Sequence, residues 1–228
     1  MFPLSGKHNT AQVFAAALEQ TAVSQIIELL NQEFVGRSSI KIMPDAHAGA
    51  GCVIGTTMTV HDRVVPNLVG VDLGCGVKCA KLCSKPNFKK LDKVVHEQVP
   101  SGFNIRRSAH RLLDRTTLLD LKCLAEVNLT RAELSIGTLG GGNHFIEVDV
   151  DQEGRYWLVV HTGSRNLGKQ VAEYYQGAAV KQCADRDYGK EKLIADLRAA
   201  GRAAEISDAI KGLAIPKVPK HLAYCSDQ

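Results

Sequence analysis

Nowhere in this sequence do roughly 20 apolar side chains follow one another, the length a membrane-spanning helix requires, so no membrane helix is expected. Dense cysteine spacing is lacking too. The seven cysteines lie scattered at 52, 75, 79, 83, 123, 183 and 225, their number is odd, and no apolar amino-terminal signal region precedes them. A small disulfide scaffold is thereby excluded, and a reducing, cytoplasmic setting is expected. Charge of one sign is also scarce: 28 Lys and Arg against 24 Asp and Glu leave a net charge of +4 and a pI near 8.6. That balance permits a polyanionic partner without demanding one. No internal repeat or low-complexity tract is visible. What the chain does have is length and apolar content, 228 residues at 45% hydrophobic, enough to bury a substantial core.

After a polar start, apolar residues recur at helical spacing from Ala11 to Phe34 (Val13, Phe14, Leu18, Val23, Ile26, Ile27, Leu30), which predicts an amphipathic helix on the outside of the fold. From Ile40 to Cys83 the texture changes to short β-branched runs, IKIMP, GCVIGTTMTV, RVVPNLVG and GVKCAKLC, broken by glycine and proline and read as strands. A lysine-rich link, Ser84 to Lys93, leads to a second helical zone at His110 to Asn128, with leucines at 112, 113, 118, 119, 121 and 124. Two strands, HFIEVDV and RYWLVVH, are then expected between Ser135 and Asn166, the first preceded by GTLGGGN and the second followed by TGSRN. Beyond Gly168 the composition is helical to about Lys211, and a proline-containing tail follows. The expected class is α+β, with central sheets flanked by helices.

Polar side chains concentrate at the ends of these strands. In PNLVGVDLGCGV, Asp72 and Cys75 fall three residues apart in a glycine-rich turn, where a carboxylate and a thiolate can face one cation. Taken alone, Asp72 could equally be a turn-former and Cys75 a small buried apolar residue. His144 opens a strand directly after GGGN, and His161 ends one directly before a loop containing Ser164 and Arg165. Either histidine by itself is more often a satisfied core residue than a ligand. Together, Asp, Cys and two His form a mixed hard and soft donor set suited to Zn, Mn, Fe or Co. Asp45 and His47, in IMPDAHAGAGCVIG, sit in what reads as a further glycine-rich turn, and Asp45 is a candidate for orienting an imidazole near a metal.

IMPDAHAGAGCVIG, PNLVGVDLGCGV, LGGGNHFIEV and HTGSRNLG, in that order and at these separations, resemble the RtcB family of RNA-splicing ligases. The likeness is strong over Ile40 to Gly168. It implies joining of RNA ends bearing a 3′-phosphate or 2′,3′-cyclic phosphate to 5′-hydroxyl ends, driven by GTP with Mn2+. By motif, it implies that Cys75 bridges manganese ions, with Asp72, His144 and His161 as further ligands. It also implies GTP-phosphate contacts from Asn143 and the backbone of His144, Phe145, Ile146 and Glu147, with glycines 140 to 142 allowing close approach. Arg165 and Arg131 would meet RNA phosphates, and Asp45 would orient a guanylated histidine.

That nucleophilic histidine, a further histidine ligand and the segments enclosing guanine lie in the family beyond the last motif found in this chain. His221, in KHLAYCSDQ, matches none of them. The expectation is thus a single RtcB-like domain, truncated or split at its carboxyl end, inactive in ligation by itself, with a complementing second polypeptide as one arrangement. Two rivals remain open at this point: a metal-dependent cyclic phosphodiesterase, which needs no downstream histidine, and a non-catalytic RNA-binding remnant.

Overall fold

Alternation of buried and exposed side chains marks the first two strands, Phe2–Ser5 (β1) and Thr10–Val13 (β2), where Ala11 and Val13 point into the core. The computed structural model describes residues 1–111, 113, 118–185, 189–213 and 218–226. Along the chain follow α1 (Gln20–Leu30), β3 (Ile40–His47), β4 (Ile54–Met58), β5 (Arg63–Val64), α2 (Pro66–Val69), β6 (Gly76–Lys81), α3 (Phe88–Gln98), α4 (Leu129–Ser135), β7 (Phe145–Val150), β8 (Tyr156–Thr162), α5 (Arg165–Asp185), α6 (Lys190–Ala199), α7 (Ile206–Gly212) and β9 (Cys225–Ser226). The class is α+β, as expected. The chain divides into two compact units, Met1–Leu68 with Tyr175–Gln228, and Val69–Tyr174.

In the first unit β1, β2, β3 and β4 form one sheet in that order, with β2 and β3 parallel and joined across α1. Ile26 and Leu30, one turn apart on α1, are fully buried with Val13, Val35, Ile42 and Leu222. Each such side chain contributes about 1.5–3 kcal/mol by leaving water, so this cluster is what holds helix to sheet. β5 and β9 pair antiparallel, and Gln182 on α5 exchanges hydrogen bonds of 3.0 and 2.9 Å with the backbone of Ser226.

In the second unit β6, β8 and β7 form an antiparallel sheet with β8 in the centre. α3 and α4 each begin at an asparagine, Asn87 and Asn128, whose side-chain oxygen accepts from the backbone N–H of Lys90 (3.0 Å) and Arg131 (2.9 Å).

Several local expectations differ from the structure. The predicted helix from Ala11 to Phe34 is a strand to Val13 and a helix only from Gln20, because Ala11 and Val13 bury with period 2 and pair with β3. The helix is amphipathic, as expected: its apolar face joins the core of the unit while Gln20, Thr21 and Ser24 stay exposed. Pro66 opens α2 instead of continuing a strand, as its fixed φ and missing N–H allow at a helix start. The lysine-rich link runs into α3, where Lys89, Lys90 and Lys93 belong to a solvated face. Within the zone from His110 to Asn128 the described residues form 3-10 turns at Leu118–Asp120 and Leu124–Glu126; Leu112 and residues 114–117 lie outside the described residues. So do residues 186–188 of the predicted carboxyl-terminal helical stretch, and 214–217 and 227–228 of the tail. Asp45 and His47 belong to β3 rather than a turn, in the part where its register with β4 shifts.

Candidate metal centre

Strand register gathers three of the four expected ligands at one end of the sheet in the second unit. His161 on central β8 faces Val77 of β6 on one side and Phe145 of β7 on the other. Cys75 immediately precedes β6 and His144 immediately precedes β7, so both flank His161. Asp72 is brought to the same place by a turn in which the Cys75 N–H donates to the Asp72 carbonyl (3.2 Å).

The donor atoms converge. One each from Asp72, Cys75 and His144 all lie within 4.8 Å of one another, and Cys75 Sγ stands 2.8 Å from His161 Nε2. His144 Nδ1 donates to the carbonyl of Leu139 (2.9 Å), which turns Nε2 toward Asp72 Oδ2 at 2.9 Å. A nitrogen and a carboxylate oxygen at that distance share positive charge, either a proton on Nε2 or a cation held by both atoms. The carbonyl bond to Nδ1 is the outer contact that commonly fixes a metal-binding imidazole. The His144 side chain is 6% exposed and Asp72 35%, so the site opens toward solvent on the carboxylate side.

Electrostatics agree with a cation-seeking cluster. Burial pushes the Asp72 carboxyl up, but the hydrogen bonds from His144 and Cys75 and the charge of both imidazoles outweigh it and hold the group below the usual carboxylate range. Burial first, then the hydrogen bond to Asp72 and its charge, raise the Cys75 thiol despite an opposing backbone contact from Gly76. A divalent cation reverses that logic by favouring the thiolate. The residues present therefore fit a divalent transition metal.

Beside them lies a cavity of about 440 Å3, lined by Asp72, Phe103, Arg131, Asn143, His144 and Arg165 among others. Arg165 is fixed at its mouth: Nε donates to Thr138 Oγ1 (3.0 Å) and Nη2 to the Gly102 carbonyl (2.7 Å). Its φ of 58° is the one positive value at a non-glycine among the described residues, a conformation that side chains rarely adopt and that clusters at functional sites. Desolvation chiefly, with the nearby charge of Arg131, lowers the Arg165 pKa, while Asp72 acts the other way. Arg131, on α4, donates from Nη2 to the Phe103 carbonyl (3.2 Å).

The sequence reading missed several contributors. A Cβ at Gly163 would fall on the Asp72 carboxylate, so this glycine makes the room in which Asp72 sits. A Cβ at Gly140 would fall on the Arg165 guanidinium and His144 Nδ1, whereas nothing lies within 4 Å of a Cβ at Gly142. Lys169 also lines the cavity, four residues after Arg165 on the same helix face, a spacing that could have signalled it. Asn143 is exposed at the cavity, Phe145 packs edge-on against the His161 ring at 5.2 Å, and Ile146 and Glu147 continue β7 opposite Val160 and Val159. Asp45 stands in the first unit, exposed, its backbone carbonyl accepting from His47 Nδ1 (2.8 Å).

Carboxylate, thiol and imidazole donors beside two arginines define a class of protein equipped to hold a divalent cation next to an anionic ligand. The particular family follows from comparison with known proteins. A family model described as tRNA-splicing ligase RtcB matches residues 25–122 and 114–205, so the chain belongs to the RtcB family. The RNA-splicing ligase RtcB of Escherichia coli K12 is 28% identical over 187 residues, covering 72% of this chain and 45% of the relative. The tRNA-splicing ligases RtcB of Archaeoglobus fulgidus (32% over 207 residues; 68% and 43% covered) and Aeropyrum pernix (29% over 203 residues; 65% and 42%) are similar. The chain spans less than half the length of these relatives.

Proposed function

We propose that the chain carries part of the active site of an RNA ligase that uses GTP and Mn2+ to join a 3′-phosphate or 2′,3′-cyclic phosphate end to a 5′-hydroxyl end. The observation that supports it most is the placement of the Asp72, Cys75, His144 and His161 donors next to the paired arginines around one cavity. On this proposal those four residues hold manganese. When bound, the metal neutralises phosphate charge and aligns the reacting oxygens.

The protein's own groups do the rest of the positioning. Arg165, already anchored through Nε and Nη2, keeps its remaining N–H groups for an RNA phosphate, so little side-chain freedom is lost on binding. Arg131 adds charge on the same side. The exposed Asn143 amide and the backbone through Glu147 hold the GTP phosphates, with the open space at Gly142 admitting them.

The test is binding of a short fluorescent RNA ending in either a 3′-phosphate or a 3′-hydroxyl, with and without Mn2+. The phosphate end should bind at least tenfold tighter, the preference should need Mn2+, and both Cys75→Ser and Arg165→Ala should abolish it. Equal affinity for the two ends, whatever the metal, would overturn the ligase proposal. Mn2+-dependent opening of a 2′,3′-cyclic phosphate without GTP would favour a phosphodiesterase instead.

A further inference from the structure

Phe103 is 94% exposed, yet it sits on a turn tied by several backbone hydrogen bonds. Ser101 bridges Gly140, the Gly102 N–H donates to the Gly140 carbonyl (2.7 Å), and the Asn104 N–H closes the turn on Ser101 (3.1 Å). Gly102 takes a φ of 61°, the left-handed value that lets the chain reverse there. Two arginines then clamp the turn, Arg165 on the Gly102 carbonyl and Arg131 on the Phe103 carbonyl. A single exposed apolar side chain is ordinary on a protein surface. A phenyl ring left bare on a hydrogen-bonded turn, lining the cavity and on the backbone that both arginines grip, is not accounted for by packing.

We infer that Phe103 is a stacking platform for the nucleobase attached to the phosphate that Arg131 and Arg165 hold. This rests on the proposal that the cavity receives an RNA end. The phosphate and its base are parts of one nucleotide, so an aromatic face on a turn that a guanidinium pair holds matches them in kind. The turn needs no ordering on binding, and the two arginine contacts fix the ring relative to the charge they supply. A stacked base carries no sequence preference, because each base offers a π-face. The site would therefore accept RNA ends irrespective of their terminal base.

The base of GTP is the other source of the same chemistry, and the experiment separates the two. Purified chain with Mn2+ is titrated into a short RNA that carries 2-aminopurine as its last nucleotide and a 3′-phosphate, reading both anisotropy and 2-aminopurine emission. Phe103→Ala should weaken binding about 5- to 100-fold and abolish the emission change, while Phe103→Trp restores both. The salt dependence of binding should stay as in the parent for Phe103→Ala and fall for Arg165→Ala, since only the arginine neutralises phosphate. GTP affinity should be the same in Phe103→Ala and the parent. Unchanged RNA affinity and emission in Phe103→Ala, with the parent binding RNA normally, would overturn the inference and leave the ligase proposal standing. Loss of GTP binding with RNA binding intact would assign the ring to the nucleotide instead. Failure of the parent chain to bind RNA would remove the ligase proposal and this inference with it.

Discussion

His144 Nε2 faces Asp72 Oδ2 at 2.9 Å because the other ring nitrogen is already committed to the Leu139 carbonyl. A cation between them satisfies both at once. Mn2+ or Co2+ should therefore bind the chain with defined stoichiometry, and Asp72→Asn or His144→Ala should lower the affinity by at least tenfold in calorimetric titration. Cys75→Ser should in addition remove the thiolate-to-cobalt charge-transfer absorption. A cobalt spectrum identical in the Ser variant would exclude Cys75 as a ligand.

Gly163 offers a way to disturb the site without touching a ligand. A Cβ there would occupy the place of the Asp72 carboxylate, and its backbone φ is not in the left-handed region, so Gly163→Ala acts by crowding alone. Metal affinity should fall toward that of Asp72→Asn, while overpacking lowers stability by only about 1–3 kcal/mol. Unaltered metal affinity would show that Asp72 is free to sit elsewhere.

Two substitutions in the first unit should move stability in opposite directions. Ile26 is fully buried in the α1 cluster, and Ile26→Ala should cost about 2–5 kcal/mol through lost burial and the cavity left behind. Gly177 lies exposed inside α5 with nothing within 4 Å of a new Cβ, so Gly177→Ala should stabilise by about 0.5–1 kcal/mol. Urea unfolding followed by circular dichroism reads both, and a neutral Ile26→Ala would contradict the assigned core.

Asp151 makes stability of the second unit depend on pH. Desolvation pushes its carboxyl up, but the hydrogen bonds from Trp157 (2.9 Å) and Arg155 (2.7 Å), with the Arg155 charge, hold it well below the usual carboxylate range. A folded pKa below the unfolded one stabilises at pH values above the unfolded pKa and loses that stabilisation as pH falls toward the folded one. The gap in urea midpoint between the parent and Asp151→Asn should be widest near neutrality and narrow below about pH 4. Trp157, the single tryptophan of the chain, reports it by fluorescence, and a gap constant with pH would rule the linkage out.

The candidate donors stood out in the sequence because glycine-rich loops at strand ends carried residue types that packing does not require, and the structure brings Asp72, Cys75, His144 and His161 close together. Local pattern was less reliable where two periods compete. Ala11 and Val13 fit a helical spacing with Leu18 and Ile26, yet the backbone of β3 was available to pair with them, and pairing won. The lysines of α3 looked like a linker because a solvated helix face and a polar loop have the same composition; the Asn87 cap was the overlooked signal.

Sequence by itself determined the α+β class, the strands around His144 and His161, and which residues are candidate metal donors, since each depends on residue type and short-range order. Only the tertiary structure decided which of those donors meet. The antiparallel register of β6, β8 and β7 sets Cys75, His144 and His161 side by side across 86 residues of chain, a relation that no local spacing encodes. It also decided that Gly163 yields to Asp72, that Gly140 yields to Arg165, and that Phe103 stands exposed on a turn both arginines hold. Those facts concern the space between distant segments, which is fixed when strands pair and side chains pack.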